Sequence, residues 1–258
     1  DRFRKAAIKE IEVLNYLMEF KKTLNKNHFP IINFYQDFIV DNIQYLVFEL
    51  ESINLYDYYC KNYFCINMDF IKNMTKQICI GLQYIHTKFI HNDLKPENIM
   101  LNLTTKNVKI IDFGSTLDKY QYRCSFYHQS RYYRAPEVIF NLQFNEKIDL
   151  WSLGCILVEL VCNKPLFNGR NERDLVFKMT EKLDLPKDYI YINSIKFKTY
   201  FTEINIDSIE NIDKQKYFRI NESVTKQIDY KPIKYCLKGH INKYLQFFRG
   251  EKQEKNNL

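Results

Sequence analysis

The chain is poor in the residues that mark linkers, fibres and small metal-binding modules. It has 6 Gly and 6 Pro among 258 residues, too few for a collagen-like or linker-rich organisation. Its 7 Cys are an odd number, and no two of them stand in a C-x-x-C spacing, which disfavours zinc binding and thioredoxin-like redox chemistry. We therefore expect reduced thiols and an intracellular location, nuclear or cytoplasmic.

Long apolar runs and blocks of like charge are also lacking. The longest apolar stretch, 153–162, contains Glu159 and falls short of the ~18 residues that span a membrane. The opening Asp1-Arg2-Phe3-Arg4 does not resemble a signal peptide. The net charge is +7, but the 38 basic residues are scattered, unlike those of a nucleic-acid-binding patch. We expect no membrane and no direct nucleic-acid partner.

The chain does have the composition and periodicity of a globular protein. Hydrophobic residues make up 46% and charged residues 27%, and this length suits one large or two small domains. Apolar spacing predicts helices at 3–19, 67–88, 146–162 and 172–184, the third of them buried all round. Short β-type runs predict strands at 31–39, 44–50, 99–101 and 108–111, with a hairpin-like break at Asp41-Asn42 between the first two. A long loop at 114–135, an irregular insert at 187–235 and a short helix at 238–248 complete the prediction.

One stretch of the chain carries residues suited to phosphoryl transfer. It reads His91-Asn92-Asp93-Leu94-Lys95-Pro96-Glu97-Asn98, and Asp112-Phe113-Gly114 begins fourteen residues after Asn98. Such a transfer needs a carboxylate that accepts the substrate hydroxyl proton, a cation on the γ-phosphate and oxygen ligands for Mg²⁺. Asp93 suits the first role, Lys95 the second, and Asn98 and Asp112 the third. The predicted hairpin between Asn98 and Asp112 would bring both metal ligands to one side of the site.

Two further motifs follow in the order found in eukaryotic protein kinases. Ala135-Pro136-Glu137 ends the long loop, and Asp149-x-Trp151-x-x-Gly154 lies on the apolar helix. With the two stretches above, they make the chain resemble a eukaryotic protein kinase over essentially residues 1–185. The resemblance implies an α+β, bilobal fold with a mainly helical large lobe, and ATP and Mg²⁺ as cofactors. It also implies transfer of the γ-phosphoryl group to Ser or Thr of protein substrates, and to Tyr by autophosphorylation.

The resemblance gives roles to residues outside the catalytic loop. Glu10 matches the glutamate of the family's helix C, with a solvated helix charge as the alternative. Asp149 resembles the buried aspartate that fixes the backbone of the catalytic loop. Met100 resembles the residue under the adenine ring, a role compatible with core packing. Phe48 resembles the gatekeeper residue, after which Glu49 and Glu51 would offer backbone groups to adenine. The expected nucleotide site comprises Glu10, Phe48, Glu49, Glu51, Met100 and Ile111.

Shorter motifs indicate a branch of the family. Asp112–Ser115 and Ser130–Glu137 resemble the CMGC group, and Asn92 in place of the usual Arg fits its branch of LAMMER (cdc2-like), DYRK and HIPK kinases. Three segments resemble LAMMER kinases, at 5–11, 214–218 and 230–234. DYRK kinases are resembled by Asn54-Leu55-Tyr56 and by the sequence at 127–131. On these motifs we favour a LAMMER kinase over a DYRK kinase.

Parts of the kinase pattern are missing from the sequence. It contains no G-x-G-x-x-G, no V-A-I-K lysine before Glu10 and no D-P-x-x-R segment near its end. We therefore expect a fragment: residues 1–51 as a partial small lobe with helix C and two strands, and 52–258 as a large lobe with a CMGC-type insert around 187–235, truncated at the C-terminus. Such a fragment should bind ATP poorly and be inactive alone. A pseudokinase or docking module without catalysis is the alternative, although the complete catalytic set favours an enzyme.

Substrate and activation residues are predicted from the same loops. Glu97 occupies a position that resembles one facing peptide residues before the phosphoacceptor, which predicts a preference for Arg and Arg/Ser-rich proteins as candidate substrates. Its alternative is a simple pairing with a neighbouring Lys. Tyr127 stands where DYRK-like kinases carry a tyrosine that they phosphorylate themselves, and Arg131 and Arg134 are close enough in sequence to bind that phosphate. The alternative for Tyr127 is packing on the large lobe. We expect a monomer.

Overall fold

The computed structural model describes residues 2–24, 28–62, 66–120, 129–183, 194, 196–204 and 217–220. An N-terminal part holds one helix and a two-stranded hairpin, and the remainder is mainly helical with small sheets, which confirms the predicted α+β class. The helices are α1 Arg2–Thr23, α2 Leu55–Asn62, α3 Met68–Ile85, α4 Pro136–Ile139, α5 Lys147–Cys162, α6 Glu172–Leu183 and α7 Phe197–Tyr200. The strands are β1 Phe34–Val40, β2 Ile43–Phe48, β3 Ile53–Asn54, β4 Phe89–Ile90, β5 Ile99–Leu101, β6 Val108–Ile110, β7 Leu117–Asp118, β8 Phe201–Ile204 and β9 Tyr217–Ile220.

The N-terminal part is built from α1 and the hairpin of β1 and β2. Helix α1 buries Val13, Leu14 and Leu17 completely and packs on both strands of the hairpin. Between the strands, Asp41 has a φ of 50° and Asn42 a φ of 62°. A two-residue type I′ turn requires positive φ at both central positions, and Asp and Asn tolerate it better than most residues. The predicted hairpin break is therefore confirmed.

The first predicted strand started too early. Ile31 forms an isolated parallel bridge with Ile110. The N–H of Ile32 donates to the Ile110 carbonyl at 3.0 Å, and the N–H of Ile110 donates to the Pro30 carbonyl at 3.0 Å. Residues 30–32 thus pair with β6 and tie the N-terminal part to the larger one. An apolar run shows that a segment is extended and buried, but it does not show which strand the segment pairs with.

The larger part is organised around α3 and α5. Helix α3 begins at an N-cap, because the Asn67 side chain accepts the Phe70 N–H at 2.8 Å. Helix α5 is mostly buried, but Leu150 is 49% exposed, so the prediction of burial all round is only partly right. Three polar side chains on it, Asp149, Ser152 and Glu159, are fully buried. The central strand β5 pairs with both β3 and β6. These elements carry the catalytic loop, which connects β4 to β5.

The two segments without a clear pattern contain more structure than predicted. In the long loop, β7 pairs with β4, and Arg131–Tyr133 form a turn of 3₁₀ helix. In the insert, α7 is followed by an antiparallel hairpin of β8 and β9. The helix predicted at 238–248 lies outside the described residues. Within the described ranges, no helix is long and apolar enough to cross a membrane.

Candidate active site

One buried carboxylate holds the catalytic loop in place. Asp149 accepts the His91 N–H at 2.8 Å and the Asn92 N–H at 2.9 Å, and its Oδ2 lies 2.8 Å from the His86 ring nitrogen Nε2. Asn92 has a φ of 67°, and its side chain donates to the Ser115 carbonyl at 2.9 Å. Buried backbone donors need such partners, so Asp149 fixes the loop backbone directly before Asp93.

Asp93 lies at the centre of a hydrogen-bonded group. Its Oδ2 accepts from Lys95 Nζ at 2.8 Å, and its Oδ1 accepts the Ser130 N–H at 3.1 Å. The Asn98 amide nitrogen donates to the Asp93 backbone carbonyl at 2.9 Å and to Asp112 Oδ2 at 3.1 Å. The four residues that the motif singled out are therefore connected in space as one group.

Asn98 and Asp112 offer donors suited to Mg²⁺. Because the amide nitrogen of Asn98 faces Asp93 and Asp112, its Oδ1 is the atom that can coordinate a cation, together with the carboxylate of the exposed Asp112. Amide and carboxylate oxygens are the ligands that Mg²⁺ takes from proteins. Asp112 also has a φ of 65°, a strained conformation of the kind found at functional sites. The residues present fit a Mg²⁺ site.

Lys95 within this group and Glu10 beside it have shifted pKa values. Burial by itself lowers the pKa of Lys95, but its hydrogen bond to Asp93 and the charges of Asp93 and Asp112 raise that pKa above its ordinary value. Glu10 on α1 accepts the Phe113 N–H at 3.2 Å. Burial raises the pKa of Glu10, the bond from Phe113 partly offsets this, and the Asp112 charge raises it further. Glu10 thus faces the Asp-Phe-Gly motif, and a cation beside it would favour its ionised form.

The residues expected around adenine lie in or directly after three strands. Phe48 ends β2, Met100 lies in β5 and Ile111 directly follows β6. The segment after β2 runs to β5, because the Ser52 N–H donates to the Leu101 carbonyl at 3.2 Å. This arrangement brings the linker with Glu49 and Glu51 to the strand that carries Met100.

Sequence reasoning missed a clamp on Glu49. The Glu49 carboxylate accepts from the Asn33 N–H and side-chain amide, both at 2.7 Å, and lies 3.0 Å from Lys109 Nζ. Burial raises the pKa of Glu49, but the Asn33 bonds and the Lys109 charge outweigh it and lower that pKa. The Glu49 N–H donates to the Asn33 carbonyl at 3.0 Å. The only signal in the sequence was Lys109, a charged residue within the apolar run of β6.

A cleft of ≈ 630 Å³ lies beside the catalytic loop. Glu97 is exposed on the wall of the cleft. The neighbouring Lys95 donates to Asp93, so it has a partner other than Glu97. Behind the cleft, the buried Glu159 accepts the hydroxyl groups of Tyr59 at 2.5 Å and Tyr133 at 2.7 Å. Sequence reasoning noted Glu159 only as a charge within an apolar stretch and gave it no role.

The activation residues are only partly covered by the structure. Tyr127 lies outside the described residues. Arg131 donates to the Arg170 carbonyl at 2.7 Å. Arg134 is 2% exposed, and its guanidinium group donates to the Gln129 carbonyl at 2.9 Å and lies 3.4 Å from Glu172. A phosphate on Tyr127 would therefore compete with contacts that both arginines already make.

Comparison with known proteins shows that this chain is similar to protein kinases. The chain is 39% identical over 203 residues to dual specificity tyrosine-phosphorylation-regulated kinase 3 of Rattus norvegicus. The aligned residues cover 78% of this chain and 34% of that relative. It is 38% identical over 208 residues to the human protein of that name, and the alignment covers 80% of this chain and 35% of the human protein. It is also 38% identical over 206 residues to the serine/threonine-protein kinase dyrk2 of Dictyostelium discoideum, and the alignment covers 78% of this chain and 22% of that relative. The chain spans about a third or less of the length of these relatives.

These relatives correct the preference for a LAMMER kinase, since all of them are DYRK kinases. The motifs at 214–218 and 230–234 that suggested LAMMER kinases lie largely or wholly outside the described residues, whereas Asn54-Leu55-Tyr56 of the DYRK resemblance joins β3 to α2. The family model of the protein kinase domain matches residues 2–229. A match over most of the sequence, joined to the catalytic group described above, shows that this chain belongs to the protein kinase family.

Proposed function

We propose that this chain is the catalytic part of a DYRK-like kinase. It transfers the γ-phosphoryl group of ATP to Ser or Thr hydroxyl groups of proteins, and to a tyrosine of its own. The observation that carries the proposal is the connected group of Asp93, Lys95, Asn98 and Asp112 on a loop held by Asp149. A carboxylate, an ammonium group and two oxygen ligands for a metal, within hydrogen-bond reach of one another, are what such a transfer uses.

Each member of the group has a distinct role in the proposed reaction. Asp93 accepts the proton of the substrate hydroxyl group, and its contacts with Lys95 and the Ser130 N–H orient its carboxylate beforehand. Lys95 places its positive charge near the γ-phosphate. Bound Mg²⁺ would be held by Asn98 and Asp112 and would neutralise charge on the phosphates of ATP.

The adenine ring is assigned to the linker after β2. The Glu49 N–H is used by Asn33, so we assign the Glu49 carbonyl and the Glu51 backbone to hydrogen bonds with adenine. Phe48, Met100 and Ile111 provide the apolar surroundings of the ring. The clamp of Asn33 and Lys109 on the Glu49 side chain supports this assignment, because it fixes the linker in one conformation before the nucleotide binds.

We assign residues 1–51 to the small lobe and 52–258 to the large lobe of this kinase. The contact between Glu10 and Phe113 supports the assignment, because it joins α1 to the metal-binding motif of the other lobe. The sequence contains no glycine-rich phosphate-binding loop and no lysine that would pair with Glu10 in the family pattern. We infer that these 258 residues alone bind ATP weakly.

A docking module without catalysis is the second candidate, since these 258 residues contain no G-x-G-x-x-G. The intact catalytic group argues against it, since a module that only binds partners has no need for a base, a cation and two metal ligands in contact. The coding sequence before Asp1 discriminates between the two. A glycine-rich loop and a lysine encoded there would support the enzyme, and their absence would support the docking module.

The proposed function is tested by Asp112→Asn in the full-length protein. We expect phosphorylation of a protein substrate to be lost, because the variant keeps the size of the side chain and removes the charge that holds Mg²⁺. The exposed Asp69→Asn on α3 is the matched control and should retain activity. Melting temperatures should show that both variants are folded. Asp112→Asn activity within about tenfold of the wild type would contradict the role.

A further inference from the structure

Glu172, at the start of α6, joins two parts of the chain that are far apart in sequence. Its Oε1 accepts from Lys196 Nζ at 2.8 Å and from the Tyr200 hydroxyl group at 2.5 Å. Its Oε2 lies 3.4 Å from Nη1 of Arg134. Lys196 and Tyr200 belong to the insert, whereas Arg134 belongs to the loop that precedes α4. One carboxylate therefore bridges the insert and the activation segment.

From Arg134 the contacts continue to the catalytic base. Arg134 Nη2 donates to the Gln129 carbonyl at 2.9 Å. Gln129 has a φ of 62°, a conformation that a non-glycine residue keeps only when its surroundings impose it. The next residue, Ser130, donates its N–H to Asp93 Oδ1 at 3.1 Å. The backbone that orients the base is thus the backbone that Arg134 holds.

Both ends of this chain of contacts are anchored. On the insert side, the rings of Phe197 and Phe201 lie 4.7 Å apart, and each packs on Phe140, at 5.7 and 6.2 Å. On the catalytic side, the Gln129 amide donates to Ser152 Oγ at 2.8 Å on α5, and its oxygen accepts the Ala135 N–H at 2.8 Å. Glu172 and Arg134 therefore connect the packed rings on the insert side with the hydrogen bonds of Gln129 on the catalytic side.

The charges of Glu172, Lys196 and Arg134 stabilise the contacts between these side chains. Burial by itself raises the pKa of Glu172, but the bonds from Lys196 and Tyr200 and the charges of Lys196 and Arg134 outweigh it and lower that pKa. Glu172 is therefore ionised at neutral pH and balances two cations. A neutral side chain in its place would remove one counter-charge from the buried Arg134 guanidinium group, which is costly.

We propose that Glu172 is a positioning residue, which couples the insert at Lys196 and Tyr200 through Arg134 to the Gln129–Ser130 backbone and so orients Asp93. This inference rests on the proposed kinase activity, because it concerns the orientation of the proposed base. It gives the insert a function that its sequence does not suggest. The link acts on the base and the protein substrate, and it does not touch the strands assigned to adenine.

The test compares steady-state kinetics of full-length variants on one protein substrate. Glu172→Gln should lower kcat by about tenfold, the order expected when a catalytic group is slightly misplaced. Tyr200→Phe removes one hydroxyl group from Glu172, keeps the ring on Phe140, and should lower kcat in the same direction by a smaller factor. The KM for ATP and the melting temperature should stay at their wild-type values. Glu181→Gln on the last turn of α6 and Tyr35→Phe on β1 are matched controls and should match the wild type.

The possible outcomes separate this inference from the proposed function. If Glu172→Gln and Tyr200→Phe keep kcat within about twofold of the wild type while Asp112→Asn abolishes it, the coupling is refuted and the kinase assignment stands. A drop in kcat accompanied by an equal rise in the KM for ATP, or by loss of folded protein, would show general structural support and would also refute the coupling. An inactive wild type would overturn both proposals.

Discussion

At the scale of single residues, buried polar side chains explain the local geometry of the site. Asp149 illustrates this: it is fully buried on an apolar helix, yet it has three donors within 2.9 Å, at His86, His91 and Asn92. A buried carboxylate without such partners would be costly. Here it satisfies two backbone N–H groups of the catalytic loop, so it supports the conformation of that loop.

We therefore expect Asp149→Ala to destabilise the protein. The substitution leaves the buried N–H groups of His91 and Asn92 without an acceptor, at about 1–3 kcal/mol for each. In a protein of this size the melting temperature should fall by roughly 5–15 °C. The exposed Asp69→Ala on α3 is the control and should change it by no more than about 4 °C. Scanning calorimetry measures both, and an unchanged melting temperature for Asp149→Ala would count against this role.

Residues with local motifs were predictable, and residues that act across the fold were not. Asp93, Lys95 and Asn98 lie within one short stretch, and Asp112 follows a hairpin, so their spacing alone indicated the site. Ser130 orients Asp93 through its backbone N–H, a group that every non-proline residue carries and that leaves no mark in the sequence. The clamp of Asn33 and Lys109 on Glu49 joins three strand or linker segments and could only be seen once they were paired.

At the scale of elements, long periodic segments were predicted best. Helix α3 follows from apolar residues at every third or fourth position, and helix α5 from apolar residues nearly all round. The hairpin of β1 and β2 follows from Asp41 and Asn42, which accept positive φ. Two-residue strands such as β4 and β7 have no period to detect. The pairing of residues 30–32 with β6 is a long-range contact, which side-chain patterns do not specify.

The cleft between α2, the catalytic loop and α5 gives a prediction about substrates. Glu97 is exposed on its wall and Glu159 is buried behind it. Glu97 is the carboxylate that a basic peptide residue can reach, and a bidentate bond to Arg would be favourable. We expect a preference for Arg before the phosphoacceptor, and Glu97→Ala should weaken that preference by about tenfold in kcat/KM, equivalent to roughly 1.4 kcal/mol.

A peptide array with Arg at each position measures this preference. The matched control is Glu181→Ala on α6, which does not line the cleft and should leave the array unchanged. Lys95 is paired with Asp93 in the structure, so removal of Glu97 should not by itself disturb the base. If the Arg preference of Glu97→Ala equals that of the wild type, Glu97 does not recognise the substrate.

At the scale of the whole molecule, hydrogen bonds join the parts across the active site. Glu10 of α1 contacts Phe113 beside Asp112, a proposed metal ligand, and residues 30–32 pair with β6, whose end leads to Asp112. On the opposite side, the insert reaches Asp93 through Glu172 and Arg134. We therefore expect the position of Asp93, the proposed base, to depend on α1 as well as on the insert.

Activation of such a molecule should depend on the segment between β7 and Gln129, which carries Tyr127. Asn92 stands where most kinases have an Arg, so a phosphate on this segment cannot pair with the catalytic loop in the usual way. Arg131 donates one bond to the Arg170 carbonyl and Arg134 is engaged with Gln129 and Glu172. A phosphate that carries about −1.5 to −2 charges can compete for such guanidinium donors, which are numerous on each Arg.

We therefore expect the full-length protein, made in bacteria, to carry phosphate on Tyr127. Transfer by the protein's own Asp93 group would order the segment through charge-assisted bonds to Arg131 and Arg134. Mass spectrometry of intact peptides should find the modification on Tyr127 of the wild type, and Asp112→Asn should lack it. Tyr120, which is 76% exposed, serves as the internal control, because equal modification there would indicate exposure alone and no selective transfer. An active enzyme without phosphate on Tyr127 would contradict this role of Tyr127.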